Sequence, residues 1–209
     1  MKFTHLAVAT GLALAALSAQ AGPNLVTNGS FESMVGIAPL PSRNWDIYAN
    51  LEGWTGDKNI ELRKTGVSGN ASDGDKFVEL DTTSNNSMYQ NITATGVVKL
   101  TFDYMARVHT GATNGLTFSF GGAPISVLTN ASGGSNPSAW QHYMGYFDFG
   151  STASTKTLRF TATSVSDSYG ASLDNVSVTA VPEAETYAMM LAGLGLMGTI
   201  VRRRKSKAA

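Results

Sequence analysis

Between Gly96 and Arg107 apolar and polar positions alternate, with Leu100, Phe102 and Tyr104 on one face and Thr101 and Asp103 on the other. A period of two is the signature of a strand with one buried face. Leu116, Phe118 and Phe120 repeat it against Thr117 and Ser119. Shorter runs of the same kind cover 24–31, 59–63, 76–81, 87–92, 124–128, 140–149, 157–163 and 171–179. Clusters such as Ser68-Gly69-Asn70, Asp73-Gly74-Asp75 and Ser132-Gly133-Gly134-Ser135 separate them as turns. About ten short strands with no convincing helix between them predict an all-β fold, an antiparallel β-sandwich of the jelly-roll kind.

The two ends of the chain break this pattern. At the N-terminus Lys2 precedes an apolar, helix-prone run from Leu6 to Leu17, and Ala19-Gln20-Ala21 supplies small residues at a cleavage site. Residues 1–21 therefore read as a cleavable signal peptide, with the cut specified by Ala19 and Ala21, and the chain is expected to be exported. At the C-terminus Val181-Pro182-Glu183 leads into an apolar run over 187–201, followed by Arg202-Arg203-Arg204-Lys205. As a helix of 1.5 Å rise that run is roughly 22 Å long, just short of the ~30 Å hydrocarbon core of a bilayer unless its flanks snorkel. The basic tail at 202–207 would stay cytoplasmic, leaving the β region on the exported side. Three parts result: a signal peptide (1–21), a β domain (22–180) and a C-terminal signal (181–209).

The C-terminal segment resembles the PEP-CTERM sorting signal of Gram-negative bacteria. The residues that carry the likeness are Val181-Pro182-Glu183, Glu185-Thr186-Tyr187-Ala188-Met189, Leu191-Ala192-Gly193-Leu194-Gly195-Leu196 and Arg202-Arg203-Arg204-Lys205; Ala184 stands where that family usually has a second proline. The resemblance implies transient anchoring in the inner membrane. It also implies processing near Pro182-Glu183 by an exosortase, a membrane-embedded, cysteine transpeptidase-like enzyme. Cell-surface or extracellular destinations associated with exopolysaccharide and biofilm follow from the same likeness.

The β domain carries a second resemblance. Asn24-Leu25-Val26-Thr27-Asn28-Gly29-Ser30-Phe31-Glu32 opens it, Gly53-Trp54 follows, then Asp73-Gly74-Asp75-Lys76-Phe77-Val78-Glu79-Leu80-Asp81, and Leu173-Asp174-Asn175-Val176-Ser177-Val178 closes it. This order is similar to galactose-binding-like jelly rolls, the fold of many carbohydrate-binding modules. In a regular strand Asp174 would share a face with Val176 and Val178, which points a carboxylate inward and calls for a cation or several hydrogen-bond donors. The resemblance implies that it helps hold a structural Ca²⁺ with Glu32, Asp73 and the carbonyls of Ser30 and Lys76. Hard oxygen ligands from distant segments suit that ion. The alternative is that Asp174 is a turn or edge residue and Glu32 is solvated.

Composition narrows the chemistry. The overall balance of 15 basic and 15 acidic residues is neutral only because six of the bases lie in the two terminal signals. Residues 22–181 carry nine basic and thirteen acidic residues, a net negative charge that argues against a nucleic-acid partner. There is no cysteine, hence no disulfide, thiolate metal site or thiol nucleophile. Past the signal peptide only His109 and His142 remain among histidines, with no metalloprotease, nucleophile-elbow or phosphate-loop motif. A non-enzymatic role is expected. Trp45 and Trp54 flank a predicted loop and are candidate saccharide-stacking contacts, although Gly53-Trp54 reads equally as a core anchor. Trp140, in a segment with Tyr143, Tyr146 and Phe147, reads as packing. The functional expectation is an exported, sorted matrix or surface protein; the alternative is a carbohydrate-binding module with a defined glycan, and a secreted polysaccharide hydrolase has least support.

Overall fold

The computed structural model describes residues 22–137 and 139–182, together with Gly193. The predicted signal peptide with Ala19 and Ala21, the apolar run at 187–201 apart from Gly193, and the basic tail lie outside these residues, as does Glu183. Among the described residues no helix is long and apolar enough to cross a membrane. The described residues form ten strands: β1 (Trp45–Leu51), β2 (Trp54–Lys64), β3 (Lys76–Glu79), β4 (Ser87–Ala94), β5 (Val97–Met105), β6 (Ala112–Phe120), β7 (Ile125–Ser132), β8 (Gln141–Asp148), β9 (Ser154–Thr163) and β10 (Ser172–Ala180). All pairings are antiparallel.

The strands follow one hydrogen-bonded path, β7-β6-β9-β4-β2-β3-β10-β5-β8, with β1 added to β2. That path curls on itself. β2 joins β4 through only two residue pairs, Thr55 with Tyr89 and Gly56 with Met88, and then continues against β3. On either side of this narrow junction the sheet closes into two facing layers. Phe118 and Phe160 from one layer meet Phe102 from the other at ring-centroid distances of 5.1 and 4.9 Å. Ile60, Leu62, Val78, Leu100, Leu158 and Val178 complete the core, each fully buried. Burial of each such side chain contributes about 1.5–3 kcal/mol.

Two expectations about elements change. The segment from Trp45 to Leu51, anticipated as a loop between two tryptophans, is strand β1, paired with β2 from Trp45–Arg63 to Leu51–Trp54. Its sequence, Trp-Asp-Ile-Tyr-Ala-Asn-Leu, mixes small and polar residues because it is an outer strand with little to bury. Conversely, residues 24–31 do not form a strand. They run beside β10 where β3 has ended, through Leu25 N–H to Val178 O (2.8 Å) and Val176 N–H to Gly29 O (2.9 Å). The Asn24 side chain accepts from Val178 N–H and donates to Val176 O. Gly29 is required there, since a Cβ would stand 1.9 Å from Val176 O.

Candidate functional site

Where β2, β3 and β10 run side by side the sheet is covered on both faces. Ile60 and Leu62 point into the core, while the intervening Glu61 and Arg63 point outward, yet they are only 6 % and 1 % exposed. On β3 the alternation is the same: Val78 faces inward, and Phe77 and Glu79 face outward at 0 % exposure. Register places Glu61 directly opposite Glu79, a like-charge pair that is destabilising alone. Arg63 resolves it. Its Nε donates to Glu61 Oε1 at 2.7 Å and its Nη1 pairs with Glu79 Oε2. Glu79 also accepts from Gly170 N–H at 2.9 Å and faces Arg107 Nη1 at 3.4 Å. Burial pushes the Glu79 carboxyl up to about 7 against the opposing pull of Arg63 and Arg107.

This ionic floor underlies a cavity of about 510 Å³, within the usual range for small-ligand sites. Trp45 and Tyr169 line it together with Glu61, Arg63, Arg107 and Asp167. Tyr169 is half exposed and carries the Arg107 guanidinium 4.6 Å from its ring centroid. Trp45 is partly buried, with the Arg43 guanidinium 4.5 Å from its ring. Arg107 Nη1 also donates to Ser168 O at 2.9 Å, and the buried Asp81 carboxylate accepts from the amides of Asp167 and Ser168 at 3.0 and 3.2 Å. Asp81 therefore sets the loop that presents Tyr169. The result is two aromatic rings, each with a guanidinium over one face, together with carboxylate acceptors on a strand-built floor. Such a surface suits a polyhydroxylated ring, whose C–H face stacks on an aromatic while its hydroxyls bond to charged groups.

The acidic positions singled out in the sequence do converge, on the turn at 72–76. Glu32 Oε1 accepts from the amides of Asp75 and Lys76 at 2.6 Å each, and Glu32 Oε2 pairs with Lys76 Nζ at 2.8 Å. Asp174 Oδ2 accepts from the amides of Ser72 and Asp73 at 2.8 and 2.9 Å, and Oδ1 from Asn175 N–H at 2.7 Å. Asp174 is fully buried, but it does not share a face with Val176 and Val178. A register shift between Asp174 and Ser177, with Asn175 at φ 51°, inverts the alternation, so Leu173, Val176 and Val178 face the core and Asp174 faces outward beside Asp103. Burial raises the Asp174 carboxyl to about 7 in spite of its three amide donors, and the charge of Asp73 adds to the rise.

As arranged, these positions do not fit a calcium ion. The oxygens of Glu32 and Asp174 that the ion would need are taken up by N–H donors and the Lys76 ammonium. Among the described residues no three His, Asp or Glu side chains are grouped to hold a metal. Ser30 is part of the turn that leads into Glu32, with its neighbour Phe31 in the left-handed region at φ 58°.

Asp103, next to Asp174, bonds Ser72 Oγ and Asn175 Nδ2 on one oxygen and His142 Nδ1 at 2.6 Å on the other. Burial works to raise its carboxyl, and these hydrogen bonds outweigh that effect and hold it below the usual value. The order is serine, aspartate, histidine, with the acid in the middle. The Ser72 hydroxyl thus meets a carboxylate and not the histidine, and the trio lacks the geometry of a Ser-His-Asp triad.

Of the tryptophans, only Trp45 reaches the cavity. Trp54 is a correction: at 1 % exposure it sits in the core, against Phe31 and Phe160 at 5.8 and 6.0 Å, with Nε1 donating to Asn28 O. Gly53 at φ 76° makes the turn that swings it inward. Trp140 packs edge-on to Phe77 at 5.9 Å on the outer face and donates to Asn70 O at 2.8 Å. Glu61, Arg63, Glu79, Arg107 and Tyr169 were not singled out in the sequence. The available signal was the charged positions alternating with core residues at 60–63 and 77–80.

Structures similar to this chain include a family 35 carbohydrate-binding module from Clostridium thermocellum, 18% identical, covering 64% of this chain and 96% of that one at a TM-score of 0.42. Another is TmCBM61 solved with β-1,4-galactotriose, 17% identical, covering 75% and 98% at 0.42. A third is the CBM22-1 xylan-binding domain of Paenibacillus barcinonensis Xyn10C, 17% identical, covering 66% and 97% at 0.41. No curated protein matches the chain. Pro182 is exposed just past the end of β10, and residues 180–205 match the PEP-CTERM protein-sorting motif.

Proposed function

We propose that this chain is an exported protein, sorted by an exosortase to the cell surface or extracellular matrix, where its β domain holds a saccharide without chemically altering it. The sorting motif at 180–205 carries the reading. Its placement supports a topology in which residues 22–180 are outside, the run at 187–201 rests transiently in the inner membrane, and Arg202, Arg203 and Arg204 stay cytoplasmic. Processing near Pro182 and Glu183 then frees the domain into an exopolysaccharide or biofilm setting.

The cavity between Trp45 and Tyr169 supports the saccharide part of the reading. Glu61 and Arg63 on its floor are held together by a buried contact of 2.7 Å, and Arg107 is tied to the underlying Glu79 and to Ser168 O, which supports preorganised polar groups facing a ligand. Ligand polysaccharides of the matrix are the proposed occupants. A glycan array with the released protein tests this: saturable binding to one glycan class, lost in Trp45→Ala and Tyr169→Ala, supports it. Turnover of any bound polysaccharide would overturn the non-enzymatic part, and uniform lack of binding would leave a sorted matrix protein without this ligand.

A further inference from the structure

Gly22 and Pro182, the described residues that adjoin the two expected processing sites, lie at one pole of the β domain. Gly22, the residue after the predicted signal-peptide cut, lies against the last residue of β10: a Cβ on it would stand 3.7 Å from Ala180 Cβ. Beyond Ala180 the chain gives one more sheet hydrogen bond, Val181 N–H to Val97 O at 2.9 Å, and leaves at Pro182. Proline has no amide N–H, so the ladder must stop there. The folded domain and the sorting signal thus meet with no linker between them.

The pole around this exit is a built surface. Gly96 N–H donates to Gly150 O at 2.7 Å and Phe149 N–H to Gly96 O at 2.8 Å, which clamps the turn before β5 to the turn after β8. Asp148 caps the second turn by accepting from Gly150 N–H at 2.7 Å. Between these turns and the departing chain is a cavity of about 300 Å³, lined by Val97, Asp148, Ser151, Val181 and Pro182 among others. Val97 is 39% exposed. An enzyme acting within one or two residues of Pro182 works within roughly 7 Å of this surface, because an extended residue spans about 3.3–3.6 Å. It cannot engage the signal without touching the pole.

Resting on the sorting reading above, we propose that the pole formed by the 96–97 and 148–151 turns is the docking surface for the sorting enzyme. The occupant is that membrane-embedded enzyme because the sorting motif, matched at 180–205, starts on this surface with Ala180, Val181 and Pro182. The saccharide cavity belongs to the other pole. Its Tyr169 and Arg107, the latter paired with the underlying Glu79, lie at the Ser172 end of β10, where Ser172 pairs with Met105 and Glu79. The nine residues of β10 put about 27 Å between the two. While the enzyme holds the exit pole, the saccharide cavity faces away from the membrane.

The test follows processing of the full chain in cells with and without the sorting enzyme, by pulse-chase and intact mass. Compared are wild type and Val97→Arg combined with Ser151→Arg. Both substituted side chains are exposed, and the backbone ladder does not depend on them. Expected is enzyme-dependent processing of wild type, slowing by about tenfold in the double variant. Trypsin resistance of each accumulated precursor shows that the domain has folded. Wild-type-like processing of the folded double variant would overturn this inference alone. Equal processing of wild type with and without the enzyme would overturn the sorting reading and this inference together.

Discussion

Asp103 and Asp174 are cross-strand partners on β5 and β10, two carboxylates side by side on the outer face of the sheet. They are treated differently by their surroundings. Asp174 is enclosed and answered only by backbone amides, whereas Asp103 is answered by Ser72, His142 and Asn175 side chains. The pair pins the 72–76 turn over the sheet and with it the cover of the outer face.

Replacing Asp174 by Asn should destabilise the protein by about 1–3 kcal/mol, because an amide NH₂ would oppose at least one of the backbone N–H donors it now satisfies. Urea unfolding monitored by tryptophan fluorescence reads this as a lower midpoint with an unchanged slope.

Stability should fall as pH rises from about 5 to 8. Glu79 and Asp174 have folded-state values raised to about 7, so between the unfolded carboxylate range and 7 the folded protein holds protons that the unfolded chain has released. Their contribution is fully present below the unfolded values and is lost as pH passes through 7. Asp103 acts oppositely, its contribution being lost in strong acid as its lowered value is crossed. Thermal midpoints across this range check the signs, and Asp174→Asn should flatten the decline between 5 and 8.

The tryptophans should separate cleanly. Trp54→Ala empties a core position and should cost about 3–5 kcal/mol, whatever happens to ligand binding. Trp45→Ala and Tyr169→Ala should leave the thermal midpoint within a few degrees and weaken saccharide binding by about tenfold or more. Loss of binding in Trp54→Ala without loss of stability would contradict the placement of Trp54.

Arg63→Ala should be among the most damaging single changes, by about 3–5 kcal/mol at neutral pH, since it leaves Glu61 and Glu79 facing each other across β2 and β3 in a buried site. The damage should lessen in acid as Glu79 takes up a proton, which chemical denaturation at pH 5 and 8 would show.

Chelation should leave the protein unchanged. With the Glu32 and Asp174 oxygens already met by amides and Lys76, thermal unfolding with EDTA or with added Ca²⁺ should give the same midpoint. A rise of several degrees with Ca²⁺ would mean that the 72–76 turn reorganises around the ion.

Strand content was legible because alternation is a local signal. Each of β2 to β10 overlaps a run that the pattern marks, while β1 escapes because an outer strand has little hydrophobic contrast to display. The same limit hid half of the cavity. Glu61, Arg63 and Glu79 alternate with core residues as ordinary solvated positions would, and only the overlying loops bury them. Asp174 shows the converse: its inward direction follows from strict alternation, and a one-residue bulge at Asn175 reverses it.

The sequence by itself determined what local chemistry can encode: an all-β domain, the absence of cysteine chemistry, and a contiguous sorting motif that is read as a linear string. Tertiary structure decided everything that depends on residues distant in the chain. It chose Trp45 over Trp54 for the cavity, turned a row of surface-like charges into a buried ionic floor, and gathered Glu32 and Asp174 on one turn. It also brought Gly22 and Ala180 together at a single pole. The physical reason is that pairing register and sheet closure set which faces are covered, and both arise only when strands far apart in sequence meet.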